Sequence, residues 1–135
     1  MSRLLGLDIG DKRIGVAISE DHLAAAYGII ENGDLEKVVN EIGRILRAER
    51  IQKIVIGIPK NKDTFQADKI HKFALELAKN LNVEIEYVDE TLSSREAERR
   101  MKSLKLDPKT KEYREKIDKL SAQLLLEQYL KENNA

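Results

Sequence analysis

The sequence predicts a single α/β domain built on a mixed five-stranded sheet, with element order βββαβαβα. Three observations predict it. The chain has 135 residues, one domain's worth, so residues 1–135 are read as one unit. Near the N-terminus two short apolar runs are separated only by Gly10-Asp11-Lys12-Arg13. That gap suits a hairpin and is too short for a crossover helix. Beyond residue 34, strand-like runs alternate with stretches of helical periodicity.

Leu4 to Ile9 is short, apolar and bounded by Gly10, as a buried strand would be. Ile14 to Ile18 alternates large and small residues, which suggests one strand packed closely on another. Ser19 to His22 reads as a second hairpin loop, and Ala25 to Ile30 as the third strand. Asn32-Gly33-Asp34 supplies a turn and an N-cap. Leu35, Val38, Val39, Ile42, Ile45 and Leu46 then follow one helix face. Ile54 to Ile58 is apolar on both faces, the mark of an interior strand, and Pro59 ends it. Lys60 to Asp63 reads as a polar loop. The second helix runs from about Thr64 to Leu81, with Ala67, Ile70, Ala74, Leu77, Ala78 and Leu81 inward. Val83 to Val88 alternates apolar and acidic residues, which suits an edge strand. Ser93 with Glu96 three residues on is a capping box, so a third helix is expected from near Ser94 to near Leu104. Asp107-Pro108 breaks it. A last helix is expected from Lys111 to Lys131, with Tyr113, Ile117, Leu120 and Leu124 as one stripe.

Composition narrows the chemistry. The chain has no cysteine, which removes disulfides, thiolate zinc sites, iron–sulfur clusters and a cysteine nucleophile. Its longest apolar run, Ala24 to Ile30, is far too short to span a bilayer. With no signal-peptide pattern at Met1, the expectation is a soluble cytoplasmic protein. Basic and acidic residues number 24 each, so the chain as a whole is neutral. Locally it is not. Ser93 to Lys119 holds ten basic and six acidic residues, a net of +4 that would attract a phosphate backbone.

Four features carry candidate chemistry. Asp8 stands inside an apolar strand, where a carboxylate is costly without a partner or a metal. A strand-end cap is the other reading of it. Asp118 shares a helix face with Ser121, Ala122, Leu125 and Tyr129. The two small residues let that face approach a sheet. Asp89-Glu90 follows the last strand, with Asp89 the backup should Glu90 point away. Carboxylates of this kind, if they converge, suit a hard divalent metal. Lys12 and Arg13, on the turn beside Asp8, are placed to hold phosphates.

Taken together these pieces resemble the YqgF/RuvX-type family of pre-16S rRNA nucleases, also described as Holliday junction resolvase-like. Asp8-Ile9-Gly10-Asp11-Lys12-Arg13-Ile14-Gly15 is similar to the family's N-terminal signature. Val55 to Pro59 resembles its central strand, Asp89 to Ser94 its post-strand motif, and Ile117-Asp118 with Ser121-Ala122 its C-terminal helix. Thr91 stands where the family usually has Arg, and Lys60 to Thr64 lacks the family's glycine. The resemblance implies a ribonuclease H-like fold and a metal-dependent endonuclease acting in 5′-end maturation of pre-16S rRNA. It implies that Asp8, Glu90 and Asp118 are the catalytic carboxylates holding Mg²⁺ or Mn²⁺. Lys12, Arg13, Arg95, Arg99 and Arg100 would contact nucleic acid, whether pre-rRNA or branched DNA. The alternatives are a Holliday junction resolvase, for which two-fold substrate symmetry would favour a homodimer, and a nucleic-acid-binding factor without hydrolytic activity.

Overall fold

The computed structural model describes residues 3–59 and 64–133. Three strands come first: β1 (Arg3–Ile9), β2 (Arg13–Glu20) and β3 (Leu23–Glu31). Helix α1 (Leu35–Ala48), β4 (Ile51–Ile58), α2 (Thr64–Leu81) and β5 (Glu84–Asp89) follow, then α3 (Thr91–Lys102) and α4 (Lys111–Asn133). The expected order holds, its final α being two separate helices. The expected loop at Lys60 to Asp63 lies outside the described residues. The five strands form one sheet in the order β3-β2-β1-β4-β5. The first three are antiparallel, and β1, β4 and β5 are parallel. No helix among the described residues is long and apolar enough to cross a membrane.

Strand alternation sorts the sheet into two unlike faces. Leu5, Leu7, Ile9, Ile14, Val16, Ile18, Ile54 and Ile56 point one way and pack on Val38, Ile42 and Ile45 of α1 and Ile70, Ala74 and Leu77 of α2. Large branched residues suit that face because two helices lie over it. Ala78, expected inward, is exposed, and Phe73 packs against this core instead. The other face carries Leu4, Ala17, Val55 and Val88, covered by Ala122, Leu125, Leu126, Tyr129 and Leu130 of α4. The small residues of β2 therefore accommodate a helix and not another strand, which corrects the reading of Ile14 to Ile18.

Glycine sets how near α4 comes. A Cβ on Gly15 would sit 2.1 Å from the Asp118 carbonyl oxygen. On Gly6 it would meet Leu126 Cβ at 3.1 Å, and on Gly57 it would meet Leu125 Cδ2 at 2.9 Å. The three glycines lie on three neighbouring strands. Buried Ser121 and Ala122 keep the facing surface of the helix equally low.

Local boundaries differ from expectation where side chains meet backbone. Ser19 and Glu20 belong to β2, and Glu20 pairs with Leu23, leaving only Asp21-His22 in the turn. Ser19 is fully buried and its Oγ accepts from Leu4 N–H at 3.0 Å, so a polar residue serves the strand there. The Ser93–Glu96 capping box does not form. Asp89 Oδ1 already accepts from Thr91 N–H at 3.0 Å and from Thr91 Oγ1 at 2.8 Å, so α3 begins directly after β5. Ser93 Oγ instead donates to Glu90 O, and Glu96 pairs with arginines. Asp34 caps α1 as expected, accepting from Glu36 N–H at 3.0 Å.

The glycine track yields a paired prediction. Gly15→Ala must displace a helix backbone and should cost on the order of 3 kcal/mol or more, the upper end of overpacking. Gly28→Ala, where an added Cβ meets nothing within 4 Å, should leave stability unchanged or raise it by about 0.5–1 kcal/mol. Urea unfolding of both variants checks this. Equal effects at the two positions would show that α4 is not in close contact.

Candidate active site

Asp8 is the penultimate residue of β1, and alternation turns it to the α4 face beside Gly6. It pairs across the sheet with Gly15. Because Gly15 has no side chain, the Asp118 backbone rests directly over that position. Glu90 is the first residue after β5, tied to the end of β4 by its N–H donating to Ile58 O at 3.2 Å. Its Oε2 reaches to 3.3 Å from where a Gly57 Cβ would stand. The sequence thus places one carboxylate at each of two strand ends and a third on the helix that crosses them.

The electrostatics follow from this crowding. Burial raises the Asp8 carboxyl from 3.8 to about 7, and the charges of Glu90 and Asp118 add to the rise. A hydrogen bond joins Asp8 to Glu90, the protonated Asp8 carboxyl donating to the Glu90 carboxylate. Glu90 is itself raised, first by burial, with the bond from Asp8 opposing the rise and the charge of Asp89 adding to it. Asp118 has a counter-charge of its own, since Arg13 Nε donates to its Oδ2 at 2.6 Å. Both side chains of that pair are about a quarter exposed, 29% and 24%. Solvent therefore limits its strength to about 1 kcal/mol.

The expected residues are distributed as follows. Asp8, Glu90 and Asp118 come close enough for both acids to act on Asp8. Asp89 is bonded to Thr91, its Oδ1 accepting from the Thr91 N–H and hydroxyl, and Glu90 is the one that meets Asp8. Lys12 is exposed on the turn, and Arg13, expected to hold phosphate, is bonded to Asp118. Arg95, Arg99 and Arg100 lie on the exposed side of α3. Arg99 and Arg100 both pair with Glu96, each Nε donating at 2.9 Å. Sequence reasoning missed Gly57, which makes room for both Leu125 and Glu90. A glycine inside an otherwise branched strand was the available signal of a close approach.

Among the described residues no three acidic or imidazole side chains stand as a ready-made metal cage. The donor set nonetheless fits a hard divalent cation. It is all carboxylate oxygen, and Asp8 carries an unfavourable burden of burial and like charge that a cation would relieve.

Comparison with known proteins gives the chain its family. The family model described as RuvX, Holliday junction resolvase, matches residues 2–132. The chain belongs to the RuvX family. A curated relative from Crocosphaera subtropica is 39% identical over 137 residues, covering 97% of this chain and 94% of the relative. One from Sulfurihydrogenibium sp. is 40% identical over 135 residues, covering 96% and 90%. Both are designated candidate pre-16S rRNA nucleases. Among solved structures, T. thermophilus RuvC in complex with a Holliday junction substrate aligns with a TM-score of 0.60 at 13% identity, covering 100% of this chain and 98% of that one. The fowlpox virus Holliday junction resolvase aligns at 0.58 and 17%, covering 96% and 98%. The fold of this RuvX-family chain is accordingly ribonuclease H-like.

The raised Asp8 carboxyl gives a pH signature. In the unfolded chain this group titrates near 3.8, and in the folded chain near 7. The folded chain holds the extra proton between those values, so the Asp8 contribution to stability is full in acid and is lost as pH rises from about 4 to about 7. Asp8→Asn cannot ionise. In EDTA its stability relative to the parent should therefore grow across that window, by on the order of 2–4 kcal/mol, and level off above it. Urea unfolding from pH 4 to pH 8 measures the difference. A variant that is less stable at every pH would identify Asp8 as a structural cap.

Proposed function

We propose that residues 1–135 form one nuclease domain that hydrolyses phosphodiester bonds, with a divalent cation held by Asp8, Glu90 and Asp118. The observation that carries this reading is the approach of Asp8, Glu90 and Asp118 where α4 crosses the strand ends, close enough for the charges of Glu90 and Asp118 both to act on the buried Asp8 carboxyl. Bound Mg²⁺ or Mn²⁺ supplies charge neutralisation at the phosphate and a more acidic attacking water. Asp8 lies near the end of β1 and Glu90 directly after β5. Asp118 lies on α4 and is bonded to Arg13. Lys12 and Arg13 stand where a phosphate next to the scissile bond would lie. Arg95, Arg99 and Arg100 extend the basic surface along α3, two of them offset by Glu96.

The names of the curated relatives support pre-16S rRNA as the substrate, and on our reading the cleavage belongs to its 5′-end maturation, in the cytoplasm. The likeness to junction resolvases supports a second substrate, a four-way DNA junction, on which the chain would act as a homodimer.

Purified protein incubated with labelled pre-16S rRNA fragment and with a labelled four-way junction, each with and without Mn²⁺, tests the reading. Cleavage is expected with Mn²⁺ and none in EDTA. Glu90→Gln and Asp118→Asn should reduce cleavage to the EDTA level while retaining nucleic-acid binding. Full activity in either variant, or in EDTA, would exclude the carboxylate site. Binding without cleavage under any of these conditions would make the chain a nucleic-acid-binding factor.

A further inference from the structure

A cavity lies beside the carboxylates, away from α3. It has a volume of about 740 Å³ and is bounded by the β1–β2 turn, the β3–α1 connection and the first turns of α4. Lys12, Arg13, Lys37, Lys111 and Arg114 line it. These cations come from three separate parts of the chain, the β1–β2 turn, α1 and the start of α4, and only the fold brings them together. Three acids share the lining. Asp34 is committed to the N–H groups of α1. Glu115 lies 4.0 Å from Lys111, and Glu31 is exposed. The lining therefore has a formal surplus of two positive charges. Lys12, Lys37 and Arg114 form no ion pair among the described residues, whereas Arg99 and Arg100 of α3 share Glu96.

The walls are held in place. Asn32 Nδ2 donates to Gly10 O at 2.7 Å and Asn32 N–H donates to Lys12 O at 2.9 Å, which fixes the β1–β2 turn against the β3–α1 connection. Arg13 joins the groove to the carboxylates, since it lines the cavity and bonds Asp118.

Building on the nuclease reading, we infer that this groove is the track for the nucleic-acid backbone, carried by Lys12, Lys37, Lys111 and Arg114 and leading past Arg13 to the carboxylates. The ligand class is a polyphosphate backbone. The cations are long and spaced over three segments, with Ile29 the one large apolar side chain among the lining residues, which suits successive phosphates better than a compact ligand.

The test uses the full chain in EDTA, so that binding is read without cleavage. Fluorescence anisotropy with labelled pre-16S rRNA fragment and with a four-way DNA junction is measured against salt. Lys37→Gln with Arg114→Gln is compared with Arg47→Gln plus Lys79→Gln, an equal charge change at the far ends of α1 and α2. The groove pair should weaken binding at least about tenfold and lower the slope of log affinity against log salt by about 1.5, as loss of two phosphate contacts requires. The remote pair should change affinity less than about twofold, as a change in net charge alone would. All four positions are exposed, so thermal unfolding should match the parent. Equal effects from the two pairs would overturn the proposal, as would binding that depends on Arg99→Gln with Arg100→Gln and ignores the groove pair. If the parent binds neither nucleic acid, the nuclease reading falls with it. If the parent binds and the groove pair is silent, only the groove assignment falls.

Discussion

Helix α4 lies against the sheet through a strip that has almost no side chains. Gly6, Gly15 and Gly57 supply it from three adjacent strands, and Ser121 and Ala122 complete it from the helix. Dispersion and burial of Leu125, Leu126 and Tyr129 then hold the two surfaces together. Everything proposed for the site depends on this approach. Asp118 is far from Asp8 in the chain, and only contact at the level of the Gly15 backbone brings its charge to bear on the strand end. The opposite face, with its branched residues and two helices, is ordinary core. Both faces of the sheet thus bury apolar cores, and the three acids gather on the α4 side.

The crowded carboxylates are a cost to the fold. Burial and like charge both push the Asp8 proton affinity up, and the hydrogen bond to Glu90 is the response available to the apo protein. Arg13 answers the third charge. One proton thus removes one of the two charges at Asp8 and Glu90, and a guanidinium answers the charge of Asp118. A divalent cation would take over both roles. Asp8, Glu90 and Asp118 would be the residues to hold it, and its charge would offset the like-charge repulsion among them. A site destabilised in this way is what tight binding of a cation requires, since the relief of repulsion adds to the binding energy.

Much of this was legible in the sequence because the relevant signals are local and periodic. The strand alternation, the short gap at residues 10–13 and the apolar faces of α1 and α2 gave the sheet and its helices. Asp8 and Asp118 stood out as charges in apolar or close-packing surroundings, whereas Glu90 was singled out from Asp89 only by the family resemblance. The misreadings arose where two local solutions compete. Ser93 reads as an N-cap, but α3 begins at Thr91, one residue past the end of β5, so Ser93 lies inside the helix. Ser19 looked like a loop residue because a buried hydroxyl satisfied by a distant backbone N–H has no sequence signature. The Arg13–Asp118 pair spans 105 positions and depends wholly on where α4 lands. The surplus of positive charge on α3 was real in composition, but Glu96 offsets part of it in space.

The central claim is that Asp8, Glu90 and Asp118 form one cation site because α4 crosses the sheet on glycine. Paramagnetic broadening by Mn²⁺ in amide-resolved NMR tests it without reference to activity. Substoichiometric Mn²⁺ should broaden the amides of Asp8, Gly15, Glu90 and Asp118 together, and leave those at the far ends of α1 and α2 sharp. Broadening that spares Asp118, or that centres on exposed acids elsewhere, would contradict the account.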